Sequence, residues 1–306
     1  MLCISGFCNS RGYIMINRRR APSSEISSEK KLSGHLREGQ YAELIEGKTI
    51  SGTGKGDVID KNGNLHSVKS GKKWQVFLYS HNRISESRYL NIFKPCLEAF
   101  PENYEQYLAD RERCIEYKEK YVQDYGRDAA KHLPNADVVK HISPNVYIES
   151  KERLARTTSM VCDALQDKDL LRNVLDEALF NLEEVAYLAI KDSTYNDDGL
   201  FKVFSQKDVL DTLSDRFHPA VSEAGRVPED YNVAGQKTLL CYKKPNGRYK
   251  NIVEVEIRND SNKHYRQVRF NMYSKDTLYL LLNRPQDIVN KEGLAMYGPA
   301  IKTLQL

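Results

Sequence analysis

The spacing of apolar residues changes period several times along the chain. From Gly34 the pattern is helical, with Leu36, Tyr41, Leu44 and Ile45 near one side of a helix that ends at Gly47. Two short strands follow, 55–60 and 64–70, joined through Asn62-Gly63, a dipeptide suited to tight hairpin turns because both residues tolerate positive φ. Beyond Gly71, the residues Trp74, Phe77, Leu78, His81, Ser85 and Arg88 are spaced like one helix face. That spacing favours a helix, although the run WQVFLY also suits a buried strand. Residues 102–131 read as a highly charged helix carrying Tyr104, Tyr107, Tyr117, Tyr121 and Tyr125.

Between Lys151 and Lys191 lies the clearest helical zone, in which Val161, Leu165, Leu171, Val174, Leu175, Leu179, Leu182 and Val185 recur at helical intervals. Ser205 and Asp208 have the spacing of a capping box that opens another helix. From Lys237 the period drops to two, in KTLLCYKK, NIVEVEIRN and HYRQVRFNMYS, with PNG and NDSN as turns. The whole reads as a mixed α/β (α+β) chain: an N-terminal arm over 1–33, a core over 34–150, a helical section over 151–236 and a β-rich section over 237–306, compatible with one continuous domain.

Composition narrows the class. The chain has 306 residues, 40% hydrophobic and 29% charged, enough for a sizeable core in a soluble globular protein. A formal net charge of +4 permits nucleic-acid binding without requiring it, so local charge has to decide. Six scattered cysteines with no C-x-x-C pair argue against a zinc ribbon or a disulfide framework and point to the cytoplasm. No apolar run approaches the length of a membrane span, and the opening MLCISGFCNSRGYIMINRRR is a poor secretion signal. Residues 21–33 (APSSEISSEKKLS) have the composition of a mobile linker.

The stretch GKGDVIDKNGNLHSVKSGKKWQ carries the candidate chemistry. Hydrolysis of a phosphodiester needs a metal that polarises phosphate and activates water, and a cation that steadies the developing charge. Asp57 and Lys69 have these chemistries on neighbouring strands. Register decides whether they meet. A tight two-residue turn at Asn62-Gly63 sets Asp57 opposite Val68, on the sheet face away from Ser67 and Lys69, and gives that face to Asp60 instead. A three-residue loop, Asn62 to Asn64, sets Asp57 opposite Lys69 and Ile59 opposite Ser67. The longer loop or a bulge is therefore expected, with Asp57 as the ligand and Asp60 in reserve.

G-x-G-D-V-I-D, a hairpin and then S-V-K-S-G resemble the core of the PD-(D/E)xK nuclease superfamily, and QVFLY from Gln75 to Tyr79 resembles the Q-x-x-x-Y helix of its RecB-like branch. The resemblance covers about residues 34–92. It implies a mixed sheet flanked by helices, Mg²⁺ as cofactor, Asp57 as metal ligand, Lys69 positioning water or stabilising charge, and Gln75 at the site. Here the middle acid of the triplet is Ser67, as in restriction endonucleases that carry S-x-K and recruit a glutamate from a neighbouring helix. Glu86, in RISESRY, is the first candidate for that glutamate, with Glu38 and Glu43 as alternatives.

For DNA contact, Lys72 and Lys73 follow the lysine of the triplet, and the late meander adds Lys243, Lys244, Arg248, Arg266 and Arg269. Between Lys237 and Lys275 stand ten basic residues against three acids, interleaved with Tyr242, Tyr249, Tyr265 and Tyr273. Glu254 and Glu256 form an E-x-E on one strand face, a rival metal site with no basic partner evident on that strand face. His35 and His66 read as structural. There is no G-x-x-x-x-G-K-[ST] loop for ATP. The expectation is a type II restriction endonuclease, a hydrolase cutting double-stranded DNA at a short sequence with Mg²⁺. Cutting both strands favours a homodimer, and a cognate DNA methyltransferase is expected to be encoded nearby. The alternatives are a non-catalytic nucleic-acid-binding protein, a RecB-like non-specific nuclease and a helical interaction protein.

Overall fold

The computed structural model describes residues 24–51, 54–131, 142, 145–191, 199–222, 236–283, 288–298 and 301. Helix α1 (Ser24–Leu44) opens it, so part of the stretch expected as a linker is helical; residues 1–23 of that arm lie outside the described residues. β1 (Lys48–Thr49), β2 (Val58–Ile59) and β3 (Leu65–Ser70) follow as an antiparallel meander, and Gly71 turns the chain at a φ of 85° into β4 (Lys73–Ser80). Among the described residues five α-helices come next: α2 (His81–Glu86), α3 (Lys94–Leu97), α4 (Tyr104–Tyr125), α5 (Arg127–Lys131) and α6 (Val146–Ala164). α7 (Lys168–Phe180) leads to β5 (Val185–Lys191), then β6 (Phe201–Ser205), α8 (Gln206–Arg216) and β7 (His218–Val221). The expected meander is present as β8 (Lys237–Lys243), β9 (Tyr249–Asn259) and β10 (Tyr265–Tyr273), followed by α9 (Ser274–Leu282), β11 (Ile288–Lys291) and β12 (Leu294–Tyr297).

These strands form two sheets. The first has the order β1-β2-β3-β5-β6-β12-β11 and is mixed, with β3 parallel to β5 and β6 parallel to β12; the second, β4-β10-β9-β8-β7, is antiparallel. Alternation along the first sheet divides the core in two. Val58, Val68, Tyr187, Ala189, Phe201 and Val203 meet Tyr41, Ala42 and Ile45 of α1. Leu188, Ile190, Phe204 and Tyr297 join the larger cluster, which the second sheet shares through Trp74, Phe77, Val253, Val255, Val268 and Phe270 and α7 through Leu171, Leu175 and Leu179. Residues from 34–150, 151–236 and 237–306 contribute to both clusters.

Two segments depart from their sequence pattern for identifiable reasons. WQVFLY is strand β4, not a Q-x-x-x-Y helix. Its register against β10 slips at Val76: Phe77 faces Phe270, Gln75 faces Asn271 and Trp74 faces Met272. A bulge of this kind places two side chains three apart on one face, so Trp74 and Phe77 imitate helical spacing while both point into the core. The helical zone ends at Phe180, because Asn181, Leu182 and Glu183 take φ of 53°, 57° and 72°. Val185 therefore opens β5, a central strand buried almost throughout and so without a period-two signature. The Ser205 hydroxyl accepts from the Asp208 amide, the cap expected there.

Glu177 of α7 ties the turn after α2 to the core. Its carboxylate is buried and accepts from the amides of Arg88, Tyr89 and Leu90 at 3.0, 2.6 and 2.8 Å. Glu177→Ala leaves three amides without an acceptor, and urea unfolding is expected to show a loss of about 3 kcal/mol. A change below about 1 kcal/mol would mean that water replaces the carboxylate.

Candidate active site

The hairpin turn is built on Asp60. Its Oδ1 accepts from the amides of Asn62 and Asn64, each at 2.8 Å, and its Oδ2 from Asn64 Nδ2 at 2.9 Å. The Gly63 amide donates to the Asp60 carbonyl at 3.1 Å, and Gly63 has a φ of 85°. The loop is therefore three residues long, Lys61 to Gly63, a turn followed by one left-handed residue. Ile59 faces Leu65 and Val58 faces His66. A longer loop was expected, but the observed one lies a residue earlier than Asn62–Asn64.

Behind the turn, Asp60 meets a buried polar relay. Tyr41 Oη lies 2.9 Å from His66 Nδ1, and His66 Nε2 lies 3.3 Å from Asp60 Oδ2. With the phenol as donor, the ring carries its proton on Nε2 and gives it to the carboxylate. Tyr187 stacks on the same imidazole at 4.7 Å. Asp60 and His66 are thus spent on the α1 side of the sheet, and Asp60 is no reserve ligand. Burial works against the Asp60 charge, but hydrogen bonds from Asn64 and His66 outweigh it and hold the carboxyl below its ordinary pKa. Burial lowers the His66 imidazole, with Asp60 pulling the other way.

Asp57 lies where the β2–β3 ladder stops. Its amide still donates to the His66 carbonyl at 2.8 Å, but the next partner of β3 is its side chain. The Val68 amide donates to Asp57 Oδ2 at 2.7 Å, and Ser67 Oγ and Lys69 Nζ each donate to the same oxygen at 3.2 Å. Aspartate, serine and lysine of the resemblance therefore converge on one point. Ser67 is buried, while the Asp57 and Lys69 side chains keep 23% and 21% of their exposure, enough for solvent or a ligand to reach them. Oδ1 takes part in none of these contacts.

Lys55 completes the cluster, and nothing in its sequence context marked it. Its ammonium donates to the Val76 carbonyl at 2.9 Å and lies 5.0 and 5.3 Å from the Phe77 and Tyr79 ring centroids. Burial, with the charges of Lys69 and Arg83, lowers it to about 7 against the pull of Asp57. Arg83 covers the Tyr79 ring at 4.0 Å and donates to its hydroxyl at 3.2 Å. Tyr79 thus borders the site, whereas Gln75, across the bulge and opposite Asn271, does not.

Glu38 and Glu43 belong to α1, which packs on the other face of the sheet, and Glu38 pairs with His35 at 2.9 Å. Glu86 is exposed at the end of α2. Among the described residues, no three His, Cys, Asp or Glu side chains form a group able to hold a metal.

The basic candidates divide into two groups. Lys73 pairs with Glu254 at 2.7 Å; Arg269 and Lys237 both pair with Glu256; Arg266 donates to the Leu97 carbonyl at 3.3 Å. The E-x-E face therefore does have basic partners, on the strands to either side of it. Lys72, Lys243 and Arg248 are exposed and Lys244 is half-buried, all at one end of the second sheet, where β4 and β9 begin and β8 ends. Among the described residues no helix is long and apolar enough to cross a membrane. Comparison of the chain with protein-family models, with curated proteins and with solved structures finds no match.

Both Asp60 and His66 have pKa values lowered by folding, so the unfolded chain binds protons first as pH falls. Their stabilisation is present above about pH 6.5 for His66 and about pH 4 for Asp60, and is lost below. Asp60→Asn is expected to be less stable at pH 7, yet to lose less between pH 5 and 3 than the wild type does, as measured by urea unfolding. Parallel losses would show that Asp60 is not held as the carboxylate of the turn.

Proposed function

We propose that the chain is a magnesium-dependent endonuclease that hydrolyses phosphodiester bonds of double-stranded DNA at a short specific sequence, as a type II restriction endonuclease does. The observation that carries this reading is the meeting of Ser67 Oγ and Lys69 Nζ at Asp57 Oδ2, on the S-V-K variant of the triplet. The donor set suits a largely hydrated magnesium ion, which takes one or two carboxylates and completes its shell with water and substrate phosphate. Asp57 would hold the ion through Oδ1, since Oδ2 is engaged by three donors. The ion supplies water activation and phosphate polarisation. Lys69 offers an ammonium to the scissile phosphate, and the Ser67 hydroxyl and Val68 amide keep the carboxylate oriented. Lys72, Lys243, Lys244 and Arg248 lie at one sheet end, joined to Lys69 through the Gly71 turn, and suit backbone phosphates.

One observation favours a second reading, non-catalytic nucleic-acid binding: Glu38 and Glu43 belong to α1, which packs on the sheet face opposite Asp57. Plasmid incubated with Mg²⁺ separates the two. Discrete bands are expected from the wild type, with rates lowered about 10²–10⁴-fold or more in Asp57→Ala and Lys69→Ala. A smear indicates a non-specific nuclease. Intact plasmid with DNA binding that weakens steeply with salt indicates binding alone.

A further inference from the structure

A cavity of roughly 490 Å³ opens beside the turn of the β8–β9 hairpin, between the C-terminal ends of α8 and α9 and the first residue of β7. None of its lining residues belongs to the Asp57–Lys69 cluster. α8 stops at Arg216, and the extended, buried Phe217 leaves Arg216 and His218 exposed on either side of it. Arg216 lines the cavity together with Asp215, an exposed pair 3.4 Å apart whose charges cancel. Lys243 and Lys244 line it too, and neither has an acidic partner among the described residues. Two positive charges are left over. The lining also offers ring faces. His218 meets Tyr249 edge-on, with centroids 5.5 Å apart, a contact that occupies at most one face of the exposed imidazole. Tyr279 packs against the buried Tyr242 at 5.8 Å and is itself only half-buried.

We propose that this cavity binds a nucleotide, with its base against the His218 and Tyr279 rings and its phosphate at Lys243 and Lys244. Aromatic side chains stack on any base, and lysines hold phosphate as point charges. A terminal phosphate carries close to two negative charges at neutral pH, which matches the excess, and the two phosphates flanking a nucleotide within a strand carry the same total. Inorganic phosphate would leave the rings unused, and a nucleoside would leave the lysines unused. The volume lies within the range of small-molecule pockets, about 300–1,000 Å³. Two sources share this chemistry, a free nucleotide and an unpaired nucleotide of a strand. The inference shares Lys243 and Lys244 with the nucleic-acid surface proposed above and needs no catalysis at Asp57.

Isothermal titration of the full chain with each of the four ribonucleoside 5′-monophosphates, in the absence of Mg²⁺, tests it. Neither metal nor DNA enters the titration, so an uncut plasmid would leave this result standing. One nucleotide per chain is expected, weakened about tenfold by the surface changes Lys243→Gln and His218→Ala. Ribose 5-phosphate and the free nucleosides are each expected to bind at least about tenfold more weakly than the nucleotide. Lys69→Ala should leave binding unchanged. Displacement of the nucleotide by a single-stranded oligonucleotide, and not by its duplex, would identify an unpaired strand nucleotide as the source; displacement by both equally, or by neither, would identify the free nucleotide. Absence of heat with all four nucleotides overturns the proposal. Ribose 5-phosphate binding as tightly as the nucleotides, with His218→Ala neutral, overturns it as well, since the lysines then act as a plain anion surface. Binding lost in Lys69→Ala and kept in Lys243→Gln would overturn it too, placing the nucleotide at the β2–β3 hairpin instead.

Discussion

Asp60 holds the hairpin turn together, and the geometry of the site follows from that. One carboxylate accepts from two amides and an asparagine side chain of its own loop, with the His66 imidazole completing the set. Its position fixes the loop at Lys61–Gly63. The loop fixes which residues of β2 and β3 face each other, and a slip of one residue would send Asp57 to the other face. His66 couples the arrangement to α1 through Tyr41, so the helix, the turn and the register form one unit. Asp57 is then left where the ladder ends, with its carboxylate standing in for a backbone carbonyl toward the Val68 amide. Because that carboxylate is held by the backbone, Lys69 and Ser67 meet it in a defined place.

Much of the hairpin was legible in the sequence. Asn62-Gly63, the acid before it and the S-V-K triplet after it are local features, and the need for a loop longer than two residues follows from the alternation of strand faces. The true loop differs by one residue because Asp60 makes a better turn anchor than Asn64, and a carboxylate's preference for its own loop is not visible in periodicity. WQVFLY misled for a different reason. A bulge at Val76 turns Trp74 and Phe77 to the same side, so a strand shows the spacing of a helix. Once that segment leaves for the second sheet, Gln75 faces away from Asp57 and Tyr79 toward it.

The charges of the meander show the limit of counting along a chain. Ten basic residues against three acids suggested an open basic surface, yet Glu254 and Glu256 receive cations from β4, β8 and β10. Those pairings run between strands distant in sequence, Lys73 with Glu254 being the extreme case, so no local pattern carries them. Lys243 and Arg248 stay exposed at the tip of the β8–β9 hairpin, and Lys263 and Lys275 stay exposed elsewhere. Lys55 was missed likewise: its pKa is depressed by burial first and then by the charges of Lys69 and Arg83, which only the folded chain brings near it.

The central claim is that Asp57 and Lys69 form a metal-dependent centre. Crystals soaked with Mn²⁺ in place of Mg²⁺, in the presence of a short duplex, test it most directly through anomalous scattering. The account predicts one manganese ion bonded to Asp57 Oδ1 at about 2.0–2.3 Å, with Lys69 Nζ on the same side of the sheet and water filling most of the remaining positions. Manganese bound at Glu254 and Glu256, or no ion within reach of Asp57, would contradict it.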